Sequence, residues 1–155
     1  MTNELMRRAI ELAVENARSG RGGPFGAVVA RGGEVVAEGV NLVTSSNDPT
    51  AHAEVTAIRE AGRALGTFDL SGCEIYASCE PCPMCLCAIY WARIDRIYFA
   101  AQSGDAAAAG FDDKRFYDEI AAPRDRRTVA MVNVMREEAL TAFEVWRQVE
   151  KRLSY

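Results

Sequence analysis

The sequence predicts an α/β layered fold, on three observations. Apolar stripes at helical spacing alternate with short β-rich runs. Two strand-and-helix alternations follow one another, a pattern that calls for crossovers. Of 155 residues, 49% are hydrophobic, enough to bury one core in a single domain spanning 1–155.

Taken in order, residues 4 to 18 place Leu5, Met6, Ala9, Ile10, Ala13, Val14 and Ala17 on one face and Arg7, Arg8, Glu11, Glu15 and Arg18 on the other, an amphipathic helix. Ser19-Gly20-Arg21-Gly22-Gly23-Pro24 stops it. Phe25 to Arg31 and Glu34 to Val40 read as strands joined through Gly32-Gly33, the composition of a tight hairpin. Asn41 to Asn47 is polar and irregular. Asp48-Pro49 predicts a helix start, with Ala51, Val55, Ile58, Ala61 and Leu65 toward the sheet, His52 in the first turn and Gly66 at the end. A third strand over Cys73–Ala77 runs into a Cys-rich turn. Met84 to Ala92, apolar nearly all round, predicts a sandwiched helix. Ile94 to Ala101 is the next strand and Thr128 to Val134 the last, with short helices near 104–110 and 114–120 between them. Arg136 to Arg152 closes the chain as an amphipathic helix, its Leu140, Phe143, Trp146 and Val149 on one side, Trp146 in a core or interface.

A net charge of −4 and a pI near 5.1 disfavour a protein that grips a long polyanion. No run approaches the roughly 18 apolar residues of a membrane span, and the charged N-terminus does not read as a signal peptide, so a cytoplasmic location is expected. Cysteines 73, 79, 82, 85 and 87 crowd together around a Cys-x-x-Cys, which in a reduced compartment favours metal over disulfides.

The chemistry concentrates in Thr50-Ala51-His52-Ala53-Glu54-Val55 and Ser78-Cys79-Glu80-Pro81-Cys82-Pro83-Met84-Cys85. His52, Cys82 and Cys85 form a three-ligand zinc set that leaves a fourth tetrahedral position for water, the pattern of a catalytic site. Glu54, a carboxylate that need not ligate, can move protons between water, a ring nitrogen and a departing amine. The pattern is that of a hydrolytic deaminase of a small base. A structural zinc would require a fourth protein ligand, for which Cys79 and Cys87 are the candidates. Glu80 either touches bound water or substrate, or holds the turn by accepting backbone hydrogen bonds. Phe25 is either the wall of a flat pocket or a core residue. Asn41 either orients a ring substrate or caps its own loop.

These motifs, together with Gly22-Gly23-Pro24-Phe25-Gly26, Asn47-Asp48-Pro49-Thr50 and Ala88-Ile89-Tyr90-Trp91-Ala92-Arg93, resemble the cytidine/deoxycytidylate deaminase superfamily along essentially the whole chain. Ala109-Gly110-Phe111-Asp112-Asp113 and the Trp146 helix ending in Ser154-Tyr155 are similar to its small bacterial guanine deaminase branch. The resemblance implies a three-layer fold with a mixed five-stranded sheet flanked by helices. It implies conversion of guanine and water to xanthine and ammonia with bound Zn2+. It further implies that Asn41 binds the purine, that Asp113 assists at the exocyclic amine, that Phe25 and Trp91 wall the base, and that Tyr155 closes the pocket. A homodimer in which the C-terminal segment is swapped is also implied, with a small nucleobase as substrate.

Three rival readings share parts of the pattern. A deaminase of adenosine in transfer RNA uses the same ligands but calls for a basic rim; Arg124, Arg126 and Arg127 cluster, yet Asp112, Asp113, Asp118, Glu119 and Asp125 neighbour them. Cytosine, ammeline or another amino-azine is a second possibility for the substrate. A silent zinc interaction domain is the third, and it gives no reason to retain Glu54.

Overall fold

The structure, a computed structural model, describes residues 1–111 and 113–153. The chain divides into two compact units, Met1–Lys114 and Arg115–Tyr155.

The first unit is built in three layers. Helix α1 (Thr2–Ser19) precedes the hairpin of β1 (Gly26–Arg31) and β2 (Glu34–Val40). Both turn glycines, Gly32 and Gly33, have positive φ (60° and 89°), as a tight hairpin matching the strand twist requires. A short helix α2 (Val43–Ser46) leads to α3 (Ala53–Leu65), β3 (Cys73–Cys79), α4 (Pro83–Trp91), β4 (Arg96–Ala101) and α5 (Ser103–Ala108). The sheet order is β2-β1-β3-β4, with β1 antiparallel to both neighbours and β3 parallel to β4 across the α4 connection.

Side-chain alternation along the strands sorts the core into two faces. Val28, Ala30 and Tyr76 pack against Leu5, Ala9 and Leu12 of α1. Ala27, Val29 and Ile75 face the other way, onto Ala53, Ala57 and Ala61 of α3 and Ile89 of α4. Arg8 of α1 grips Glu38 of β2 through two hydrogen bonds of 2.7 and 2.8 Å, and the guanidinium holds that carboxyl below its ordinary range.

The mixed sheet and its layers agree with the sequence reading, but the sheet has four strands and not five. Thr128 to Val134 has the composition of a strand, yet it joins no ladder among the described residues. Its Val129, Val132 and Val134 are more than 70% exposed. β propensity reflects what a side chain packs against, so an apolar run with no neighbouring strand stays irregular.

The third helix also differs from its expected form. It starts at Ala53, and His52 is its N-cap in extended backbone (φ −69°, ψ 159°). Asp48 instead closes a local turn, accepting from the Thr50 amide at 2.8 Å and the Thr50 hydroxyl at 2.6 Å. The fully buried stripe is Ala53, Ala57 and Ala61, each at most 1% exposed; of the residues predicted to face the sheet, Ala61 belongs to it and Ile58 and Leu65 pack half-buried against it. Small side chains on this stripe let the helix backbone come down onto β2, where a Cβ at Gly39 would collide with the Ala53 carbonyl oxygen and the Ala57 nitrogen.

Helix α4 is not sandwiched within its own chain: Tyr90 is 73% and Trp91 66% exposed, while Pro83, Cys85 and Ile89 are buried.

In the second unit, α6 (Lys114–Ala121) is followed by a single 3-10 turn at Arg124–Arg126 and by α7 (Arg136–Gln148). Arg127 donates to the Ala122 and Ile120 carbonyls, satisfying the end of α6. Trp146 is not buried in its own chain, and Phe143 beside it on α7 is well exposed. Among the described residues, no helix is long and apolar enough to cross a membrane.

Gly39→Ala is expected to lower unfolding free energy by about 1–3 kcal/mol, the usual cost of overpacking. Urea denaturation should show a lower midpoint at unchanged slope. Gly104→Ala, where an added Cβ meets nothing within 4 Å, should leave the midpoint unchanged or raise it.

Candidate metal centre

Two helix N-termini converge at one end of the sheet. His52 is the N-cap of α3 and Cys82 the N-cap of α4, and neither side chain makes a capping hydrogen bond. An N-cap that forgoes its side-chain bond typically gives up about 0.5–2 kcal/mol of helix stability. The two side chains are instead free to meet. Pro83 occupies the first helical position of α4, where its missing N–H and fixed φ are favourable. Cys85, three residues after the N-cap, therefore comes back beside Cys82, as N-cap and N3 side chains do in a capping box.

His52 Nδ1 lies 3.5 Å from Cys82 Sγ and 3.4 Å from Cys85 Sγ. Candidate ligand atoms of these three residues all fall within 4.8 Å of one another. Zinc bonds of about 2.05 Å to nitrogen and 2.3 Å to sulfur at a tetrahedral angle require N···S separations of about 3.6 Å. The donor set thus fits zinc, with Nδ1 facing the thiols. Cys79 and Cys87 are outside this cluster: Cys79 Sγ faces the Gln102 carbonyl at 3.7 Å, and Cys87 is exposed on α4. The fourth protein ligand that a closed structural site needs is therefore not supplied from either position.

Charge is distributed unequally over the cluster. The hydrogen bond from the Cys85 thiol, aided by His52, pulls Cys82 down to about 4 against the opposing effect of burial. The same bond, followed by burial and the Glu54 charge, pushes Cys85 far up. One proton is in effect shared by the pair, with the thiolate on Cys82. His52 is raised first by its hydrogen bond with Cys82, then by the charges of Cys82, Glu54 and Asp113. Both helix N-termini add positive potential where the thiolate sits.

Glu54, in the first turn of α3, is 8% exposed. Burial is the main cause that raises its carboxyl above the ordinary range, and the Cys82 charge adds to it. A carboxyl whose proton affinity is raised in that way, beside the His52–Cys82–Cys85 cluster, is suited to take up a proton from a neighbouring group. His52, as the N-cap in extended backbone, and Glu54, in the first helical turn, need not share one helix face.

The remaining expected site residues lie at different distances from this centre. Asn41 is buried at the end of β2, and its Oδ1 accepts from the Gly23 and Val43 amides, each at 3.2 Å. The loop thus occupies the acceptor end of the amide and leaves Nδ2 as the donor end. Asp113 is half-buried, and its charge acts on both His52 and Cys79. Phe25 packs edge to face on Phe111, with ring centroids 5.0 Å apart and planes at 84°. Phe25 also packs against the core on the α3 side of the sheet. Trp91 is at the far end of α4 from Cys82, about 13 Å away at 1.5 Å per residue. The expected role of Tyr155 falls outside the described residues. Glu80 accepts the Ser103 amide at 3.0 Å, while its own amide donates to the Ala101 carbonyl at 2.9 Å. Those bonds tie the cysteine turn to the end of β4.

The sequence reading overlooked Asn16 of α1, which is fully buried and donates to the carbonyls of Gly23 and Asn41 at 2.9 and 2.8 Å. Its signal was available as an amide continuing the stripe Leu5, Ala9, Leu12 and Ala13 at helical spacing.

Residues 1–101 match the family described as the cytidine and deoxycytidylate deaminase zinc-binding region. The chain is 52% identical to a guanine deaminase of Bacillus subtilis over 150 residues, 97% of this chain and 96% of that protein. An X-ray structure of guanine deaminase from Bacillus subtilis superposes with a TM-score of 0.96 at 51% identity, covering 99% of this chain and 98% of the other. A tRNA-specific adenosine deaminase of Agrobacterium fabrum is 43% identical over 115 residues, 71% of this chain and 74% of that protein.

Cys82→Ala and Cys85→Ala are each expected to reduce zinc per chain at least about tenfold, because each removes one of three ligands. Cys87→Ala should leave it unchanged. Elemental analysis of the purified variants after dialysis decides between three and four protein ligands.

Proposed function

The chain belongs to the cytidine and deoxycytidylate deaminase family, and we propose that within it the protein hydrolyses guanine to xanthine and ammonia. The observation that carries this reading is 52% identity to the guanine deaminase over 150 residues, a span that must include sequence beyond the family match at residues 1–101. The adenosine deaminase likeness covers less of the chain. An acidic chain whose Arg127 is spent on the end of α6 also offers a single-stranded RNA a poorer rim than the arginine cluster alone suggested.

In this reading His52 Nδ1 and the Cys82 and Cys85 sulfurs hold the zinc. When bound, zinc supplies Lewis-acid activation of water at the position left open by the three ligands. The Glu54 carboxyl takes the proton released as water adds at C2 of the base, gives it to the adjacent ring nitrogen, and then assists the departing amine. Its burial suits the uptake step, since desolvation disfavours the carboxylate and raises its proton affinity. Asn41 presents Nδ2 to an acceptor atom on the purine edge, Asp113 receives the exocyclic amine, and Phe25 with Phe111 forms the aromatic wall. The roles expected of Trp91 as a wall and Tyr155 as a closing residue are assigned to a homodimer in which two chains exchange their C-terminal segments. A reduced cytoplasmic setting suits a site that requires two free thiols.

A homodimer is part of this reading. Among the described residues β4 pairs only with β3 and stands at the edge of the sheet. Thr128–Val134 is a β-branched run with exposed side chains and no ladder, and α7 leaves Phe143 uncovered. An open sheet edge and an exposed apolar segment are complementary surfaces when two copies exchange their C-terminal segments.

Purified zinc-loaded protein should release ammonia from guanine in strong preference to ammeline, adenine, cytosine, guanosine, cytidine and transfer RNA, with xanthine identified by ultraviolet absorbance and mass. Preferred turnover of transfer RNA or a pyrimidine would overturn the substrate assignment. Glu54→Gln should retain zinc and lose about 10²–10⁴-fold in kcat; parallel loss of zinc would make Glu54 a ligand. Asn41→Asp keeps the acceptor used by the loop but removes the donor, so guanine KM should rise with zinc and fold intact. Light scattering should give twice the chain mass, falling to one chain mass when residues 128–155 are deleted.

A further inference from the structure

Helix α1 lies on the sheet face opposite α3, and no residue of it belongs to the metal-ligand set. Its buried stripe is aliphatic except at its last member, Asn16, which is 0% exposed. Both hydrogen bonds of its Nδ2 run to the loops bordering the site: to the carbonyl of Gly23 at 2.9 Å and to that of Asn41 at 2.8 Å. The other end of the amide, Oδ1, is buried and accepts no hydrogen bond among the described residues. An aliphatic side chain would fill such a position without stranding an acceptor, so a packing role alone does not account for an amide here. What the amide supplies is two donors aimed at two specific carbonyls.

Those carbonyls belong to a small closed network. Asn41 gives its backbone oxygen to Asn16, while its side-chain Oδ1 accepts the Gly23 and Val43 amides. Gly23 is therefore held on its carbonyl by Asn16 and on its amide by Asn41. The neighbouring Gly22 packs so tightly on Asn41 that an added Cβ would overlap the Asn41 carbonyl oxygen. With the backbone fixed by Asn16 and Oδ1 held by two loop amides, the Asn41 amide is fixed in orientation, and recognition of a ligand by this side chain falls to Nδ2.

We infer that Asn16 is a positioning residue for guanine recognition: it acts through Asn41, fixing which end of that amide meets the base and where. The inference rests on the reading of Asn41 as a base-binding residue. It adds a determinant of specificity on the far side of the sheet, because a site reduced to a donor at this point accepts a base edge bearing a carbonyl or an unprotonated ring nitrogen. It rejects an amino group there.

A double-mutant cycle in guanine kinetics tests the inference. Asn16→Ala should raise guanine KM about tenfold or more while changing kcat less than about threefold, with zinc per chain unchanged, because base binding and not proton transfer is disturbed. In the Asn41→Asp background, where the donor is already gone, adding Asn16→Ala should change KM less than about twofold. Asn16→Ser, which keeps one donor in a smaller volume, should fall between wild type and Asn16→Ala, and carries the test if the alanine variant does not fold. Additive KM effects in the two backgrounds, an unchanged KM in both Asn16 variants, or loss of zinc and kcat with KM unmoved would each make Asn16 a packing residue and overturn the inference. Failure of the reading beneath it looks different: the chain with Asn16 intact would not deaminate guanine, or Asn41→Asp alone would leave KM unmoved, and the inference would fall with it.

Discussion

The close seating of α3 on the sheet governs the rest of the molecule. A ligand set drawn from two helix ends works only if those ends meet, and α3 can reach α4 only by lying low on β2. Ala53, Ala57 and Ala61 on the helix and Gly39 on the strand remove the side-chain volume that would hold the two apart. The requirement is one of tenths of an ångström, because a metal-nitrogen-sulfur arrangement tolerates little change in separation. Larger apolar residues on the same stripe would bury more area and lift His52 away from the thiols. Packing that favours stability in isolation is here subordinate to placement.

The electrostatics follow from that placement. Cys82 and Cys85 are close enough to share a proton, and the helix N-termini stabilise the charge left on Cys82. Glu54 sits beside that charge, and its proton affinity rises through burial first and the Cys82 charge second. Glu54 and the His52–Cys82–Cys85 cluster are thus one arrangement. The turn at Glu80 and the loop at Asn41 are built with the opposite economy: their polar side chains are tied mainly to backbone groups, which fixes the walls around a centre whose own groups must remain available.

The sequence made much of this legible, and its failures have physical reasons. Helix α1, the Gly32-Gly33 hairpin, β3 and β4 follow from periodicity and turn chemistry, which are local. The grouping of His52, Cys82 and Cys85, and the buried carboxyl of Glu54 close to it, were legible from spacing in short motifs. The start of α3 was misplaced because Asp48-Pro49 carries a good helix-start signal that Thr50 diverts into a turn. Of the stripe expected on α3, Ala61 is fully buried and Ile58 and Leu65 pack half-buried on the core, while close approach puts Ala53 and Ala57 at its centre. Thr128–Val134 has strand composition, but a ladder needs a partner and composition does not name one. Asn16 escaped notice because a helical amide is ordinarily solvent-facing, and only the fold brings its two target carbonyls together.

His52 and Cys82 are thirty positions apart, whereas Cys82 and Cys85 are tied by the geometry of a single helical turn. The two intervals answer to different physics. Closing a flexible loop costs an entropy that grows with the logarithm of its length, only about 0.6 kcal/mol for each doubling. Residues between the end of α3 and the start of β3 can therefore be added or removed during evolution with little effect on how the distant ligands meet. A single insertion between the two cysteines would turn one sulfur about 100° around the helix axis. Variation in such a lineage is thus channelled into the long connection, where new surface can be acquired around a centre that does not move.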